Sequence, residues 1–322
     1  MESDVERVTR ILASYLPHSE ITRPNPVFNF DLRRVRWLSD PERLLRFSLY
    51  LFLIPPVAIS LIVFVLAQDA LHAGANSYAY RAYYQFFFVT TWVIFLLSLA
   101  VTVVGDLYYL LVSVSSINRM ITSGEWDMLR LTVIPETDLV QSKHVVAEIK
   151  GWRFMVIEAA VRTFGLGFAI THMVLFAKFS YAQLASPLFL AALSAVLVIW
   201  SGIYAIEPLW RMRALTALGI AASAEIHRLT YAGLAALAGS AGMHLLQGGM
   251  VLAGTWIATG IFAISVALDR AMHKGGPGTE IFFTPLAAVL VSLVCGFLIR
   301  QFYHRIYQAL LNRAMRTAFK SE

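Results

Sequence analysis

Charge is scarce in this chain. Only 14% of its 322 residues are Asp, Glu, Lys or Arg, and 58% are hydrophobic, where a soluble domain carries about 25% charged residues. That shortage excludes a water-soluble enzyme with a single core, because so much apolar surface could not all be buried. It equally excludes a disordered chain, whose composition runs the other way. Cysteine is almost missing: Cys295 stands alone in an apolar run, so no disulfide within the chain and no cysteine-rich metal site is possible. A phosphate-binding loop ending in Gly-Lys-Ser/Thr is absent, and with it the usual cradle for a nucleotide. The first 47 residues hold no apolar core of a cleavable secretory signal. No internal repeat or low-complexity tract stands out.

What is there in quantity is long apolar runs. A helix crossing a bilayer needs about 20 apolar residues. Residues 48–67 supply them, with Pro55-Pro56 as an expected kink, and 86–112 supply them again, interrupted only by Asp106. The run 154–177 carries Glu158, Arg162 and His172, whereas 187–206 carries no charge, and 281–299 is a further span. The stretch 229–268 is also free of formal charge. It is long enough for one broken helix, a helix with a re-entrant segment, or two spans, with Gly239, Gly242, Gly248 and Gly249 as expected breaks.

Cation placement decides between these, since cytosolic segments carry the excess of Lys and Arg. With 229–268 crossing once, segments 1–47, 113–153, 207–228 and 300–322 fall on the cytosolic side and hold 21 of the 26 cations. The expected fold is therefore all-α: a polytopic membrane protein of about six spans with both termini cytosolic. Three parts follow: amphipathic elbow helices in 1–47, a transmembrane domain over 48–299, and a basic helical tail over 300–322. The net charge of +6 is read as this asymmetry and not as a nucleic-acid footprint.

The segments outside the bilayer have their own pattern. Val5, Val8, Leu12 and Tyr15 fall at helical spacing. After Pro24 and Pro26, Phe28, Leu32 and Val35 form a second apolar stripe among Arg33, Arg34, Arg36, Arg43 and Arg46, as expected of a basic helix lying in the membrane interface. The loop 113–153 is too long for a simple connection. Ile117, Met120 and Ile121 continue the period of the second span; Thr122 and Glu125 have the spacing of a capping box; Pro135 breaks the chain; and Glu136 and Asp138 begin a helix leading into the third span. Trp126 and Leu129 on the short helix suit docking onto another protein; the alternative is that Trp126 packs against its own loop or the lipid surface.

Within the spans, Glu158 and Arg162 are four residues apart on one helix face and can pair. Either charge alone would cost about 2.5–3.5 kcal/mol at mid-bilayer on insertion scales. Asp106 lies at similar depth and can join them as an intramembrane gate or a structural lock. His172 and His244 belong to no spaced ligand motif, so hydrogen-bonded packing histidines are expected, without metal or haem. Gly239-Ser240-Ala241-Gly242 suits close helix packing better than a serine nucleophile, which has no positioned base.

Two stretches carry a resemblance. Asn25-Pro26-Val27-Phe28 followed by Asp31-Leu32-Arg33 resembles the elbow before the first span in permease subunits of type-2 ABC exporters. Gly124-Glu125-Trp126-Asp127-Met128-Leu129-Arg130-Leu131-Thr132 is similar to the family segment Gly-Thr-Trp-Asp-Leu-Leu-Leu-Leu-Thr that holds the coupling helix, and Lys143 fits the usual lead into the third span. The chain departs from the family at Thr122 (usually Glu), Glu125 (usually Thr) and Val133 (usually Pro), so the resemblance is to a divergent member. It implies ATPase coupling through Gly124, Glu125, Trp126, Asp127, Leu129, Arg130 and Thr132, and an elbow helix carrying Asn25, Pro26, Asp31 and Arg33. It further implies no cofactor on this chain, ATP and Mg on a separate ATPase subunit, a second permease copy or homologue, membrane lipid around the spans, and the plasma membrane of a prokaryote. The readings that stand beside it are a non-transporting scaffold or sensor, a secondary transporter and a membrane enzyme.

Overall fold

The computed structural model describes residues 16–17, 26–33, 40–72, 78–131, 134–180, 187–226, 228–272 and 283–318. Among them every regular element is a helix and no strand occurs. The elements are α1 (Pro26–Arg33), α2 (Pro41–His72), α3 (Tyr78–Thr122), α4 (Glu125–Arg130), α5 (Glu136–Ser180), α6 (Pro187–Glu225), α7 (Leu229–Met272) and α8 (Phe283–Ala318). The expected amphipathic segment ahead of Leu16 lies outside the described residues, as do Asn25, Arg34, Val35, Arg36 and Thr132.

Four stretches of described residues are long and apolar enough to cross a membrane: Arg81–Thr122, Thr137–His172, Leu229–Gly254 and Leu286–Thr317. The chain is thus a multi-pass membrane protein by length and composition. Large apolar side chains such as Phe86, Trp92, Phe95 and Leu99 on α3, and Leu245, Leu252 and Trp256 on α7, are exposed. Lipid is the solvent that tolerates them, since its hydrocarbon tails are as apolar as these side chains, and a helix can enter it because its backbone polar groups are satisfied internally.

The helices overrun the apolar runs that define them. Both α3 and α5 have 45 residues, roughly 65 Å at 1.5 Å per residue, about twice the hydrocarbon thickness. The surplus projects as a hairpin tipped by α4. Around it, α6 lies along α8, α3 lies along both α5 and α6, and α2 packs on α5. The α2–α5 contact includes a hydrogen bond from Trp152 Nε1 to Ser48 Oγ at 2.7 Å. One close approach needs glycine: a Cβ on Gly219 of α6 would stand 1.9 Å from Ser113 Oγ of α3.

Two expectations are corrected and a third is extended. The break in 229–268 is absent: α7 runs as one helix from Leu229 to Met272. Its glycines stay helical because a freed backbone N–H finds no water in an apolar medium. The segment 207–228, read as cytosolic, continues α6 as helix as far as Glu225 and packs closely against its neighbours. Met212, Ala214, Leu215, Ala217 and Ile220 are fully buried there, and its small residues admit neighbouring helices. The capping box does not form either. The Thr122 hydroxyl donates to the carbonyls of Asn118 and Arg119, both at 3.0 Å, since α3 extends through it. Gly124 caps α4 at φ 73°, without a side-chain bond.

Candidate functional site

The centre of the helix assembly is polar. The expected partners Glu158 and Arg162 are joined at 2.8 Å, and both are buried on α5. Two residues that hydropathy had assigned outside the membrane complete the group: Glu207 and Arg211, one turn apart on α6. Arg162 bridges the two helices by donating Nη1 to Glu207 Oε2 at 2.7 Å and Nη2 to Thr102 Oγ1 of α3 at 3.1 Å. Its guanidinium also lies 4.7 Å from the centroid of the Tyr204 ring. Arg211 donates to Glu207 within α6 and to Glu158 across to α5. Its Nε is 2.9 Å from Asp106 Oδ1 on α3.

The remaining contacts draw in the last two helices. Tyr303 of α8 donates its hydroxyl to Glu207 Oε1 at 2.5 Å. His244 Nε2 of α7 lies 2.9 Å from Asp106 Oδ2, and Gln247 Nε2 lies 3.5 Å from Glu207 Oε1. One connected set of charges therefore ties α3, α5, α6, α7 and α8. In a low dielectric a charged group is stable only when paired and hydrogen-bonded, and each guanidinium here touches at least two carboxylates. Asp106, Glu158 and Arg162 are thus brought together. Glu207 and Arg211 went unremarked in the sequence, although they repeat the four-residue spacing of Glu158 and Arg162. Ser240, His244 and Gln247 likewise share one face of α7 by helical spacing. His172 stands apart, beside the rings of Tyr84 and Phe88. No group of three or more potential ligands that could hold a metal occurs among the described residues.

The second polar assembly is at the hairpin tip. Trp126 is only 5% exposed and packs with Ile117, Met120, Leu139, Val140, Ile220 and Ala314; Leu129 is partly buried against the same cluster. The packing alternative describes the place of Trp126 in this fold: its indole is buried within the chain. Among the described side chains, α4 presents Glu125 and Met128 outward, followed by Leu131, with Met128 67% and Leu131 88% exposed. Gly124, Asp127 and Arg130 lie in the same turn and helix. On the elbow α1, Pro26 and Arg33 are exposed, and Asp31 forms an ion pair with Lys143 of α5. A groove of about 670 Å³ runs between α1, α3, α4 and α5, lined among others by Phe30, Asp31, Arg119, Glu125, Met128 and Lys143.

No family model, no curated protein and no solved structure matches this chain.

Proposed function

We propose that this chain is the membrane subunit of an ATP-driven exporter of the type-2 ABC kind, a divergent one. It would span the plasma membrane of a prokaryote six times with both termini cytosolic, form the translocation path with a second permease copy or homologue, and leave ATP and Mg to a separate ATPase. The observation that carries the reading is the short helix α4, held at the tip of the α3–α5 hairpin with Trp126 inward and Met128 and Leu131 outward. A rigid lever ending in an exposed apolar knob suits the transmission of force from a soluble partner. The motifs in 25–33 and 124–132 support the same reading, as do the lengths of α2 and α6, 32 and 39 residues, which would add two spans to the four described.

The test is affinity purification from native membranes. Wild-type chain is expected to bring down an ATPase, and the double variant Met128→Asp, Leu131→Asp is expected to lose it while its spans stay folded, because neither side chain is buried. An ATPase retained at wild-type yield by that variant would refute the coupling surface. A second reading, a secondary transporter or sensor, is favoured by the buried charge set. Transport driven by an ion gradient in vesicles holding this chain alone would select it.

A further inference from the structure

The central cluster is one positive charge short. It holds three carboxylates, Asp106, Glu158 and Glu207, against two guanidiniums, Arg162 and Arg211. Its carboxylate oxygens are not all served: Glu158 Oε2 is buried without a hydrogen-bond donor. An excess charge in a low-dielectric interior is expensive, and the inexpensive remedy is a proton. The tyrosines facing the cluster, Tyr303 of α8, Tyr109 of α3 and Tyr204 of α6, are phenols and add no positive charge. The amides and hydroxyls around it, Gln247 and Thr102, add none either. A carboxylate can take that proton, but the member that holds one near neutral pH by its ordinary chemistry is an imidazole: His244 of α7, whose Nε2 is 2.9 Å from Asp106 Oδ2. It is also the ionisable member most open to its surroundings, its side chain being 40% exposed where that of Asp106 is 7% exposed.

We propose that His244 and Asp106 form a binding site for one exchangeable proton, and that this proton fastens α7 to the rest of the helices. With it, the cluster is neutral and α7 is bound to α3 by a charge-assisted hydrogen bond, roughly twice as strong as a neutral one. Without it, the excess negative charge returns and that bond weakens. Helix α7 is well placed to respond. A Cβ at Gly233, Gly242, Gly248 or Gly249 would meet nothing within 4 Å, whereas one at Gly239 would stand 2.9 Å from Leu218 of α6, so α7 is open along one flank and packed along another, where His244 adds a polar tie to the apolar ones. The site would report pH from within the membrane, whatever partner drives the protein.

The sign follows from linkage. A proton held by the folded chain and released on unfolding makes stability fall as pH rises. Full-length chain in lipid nanodiscs is to be melted across roughly pH 5 to 8, the range in which imidazole titrates. The wild-type Tm should fall about 2–4 °C more over that range than the Tm of His244→Gln. His244→Lys, which keeps the charge permanently, should show the same flattened profile as His244→Gln. A His244→Gln profile as steep as wild type would overturn the proposal. Should the variants not fold, 15N-histidine NMR of the wild type and Asp106→Asn decides. One imidazole titration that moves to lower pH in Asp106→Asn supports the site, and eight histidines unaffected by that change refute it. None of these readouts involves an ATPase, so the exporter reading stands or falls separately.

Discussion

Two Arg–carboxylate contacts in this molecule look alike on paper and differ in what they do. Arg313 of α8 reaches Glu225 at the end of α6 through both Nε and Nη2, a forked pair with Arg313 65% exposed. Arg211 likewise reaches carboxylates through Nε, Nη1 and Nη2, but it is buried among three acids on three helices. The guanidinium is shared; the geometry, one forked acid against three bridged ones, and the medium are not. Near the surface, screening and side-chain entropy cancel most of the attraction. In the interior the attraction is strong, the desolvation penalty is comparable, and the pairing is obligatory because nothing else can compensate either charge. The buried set therefore specifies which helices meet, and the exposed pair merely decorates a contact already made.

Four substitutions grade that contrast. Arg211→Ala leaves three carboxylates facing one guanidinium, and a loss of about 3–5 kcal/mol is expected for breaking a buried pair, read as a collapse of folded yield or a sharply lower Tm in detergent. Adding Glu158→Gln to it should restore part of the loss, and a double variant no better than the single one would mean the two do not communicate. Lys143→Ala removes the tie between α5 and the elbow, where Lys143 and Asp31 are 8% and 14% exposed. A loss of about 1.5–3 kcal/mol is expected for a charged hydrogen bond, accompanied by faster proteolysis at α1. Arg313→Ala should change Tm by no more than the equivalent of about 1 kcal/mol, and less in high salt. An effect of Arg313→Ala as large as that of Arg211→Ala would erase the distinction drawn between the two settings.

The hairpin tip teaches a related lesson about reading sequence. The order helix, short helix, turn, helix in 113–153 is visible from the continuation of the apolar period through Ile121, the Pro135 break and the acidic start at Glu136. The orientation of α4 is not visible. Trp126 and Met128 are two residues apart, hence on opposed sides of a helix. Composition alone gives no reason to prefer the indole outward or inward. The large buried cluster beneath Trp126 decides it, and that cluster draws on the flanking α3 and α5 and also on α6 and α8, which are distant in the chain.

The same limit operated on α6. Hydropathy stops at Ile206 because Glu207, Arg211 and Arg213 follow within seven positions, and a window that averages transfer energies must treat them as exposed. In the folded chain Glu207 and Arg211 neutralise charges from α3 and α5, so the average penalises an arrangement whose cost has been removed by partners it cannot see. The repeated four-residue spacing, Glu158 with Arg162 and Glu207 with Arg211, was the available signal. It becomes informative only once two helices are known to lie side by side.

By itself, then, the sequence determined the medium and the material: long uncharged runs need lipid, lipid forces internally bonded backbone, and the result is helices longer than a bilayer is thick. Those are properties of each segment alone, set by local transfer energy and periodicity. Only the tertiary structure decided which charges neutralise one another, which face of α4 is offered to the outside, and that α7 is unbroken and reaches the cluster through His244. These depend on contacts between residues as much as 138 positions apart, and the energy of such a contact exists only when both partners have been brought out of water together.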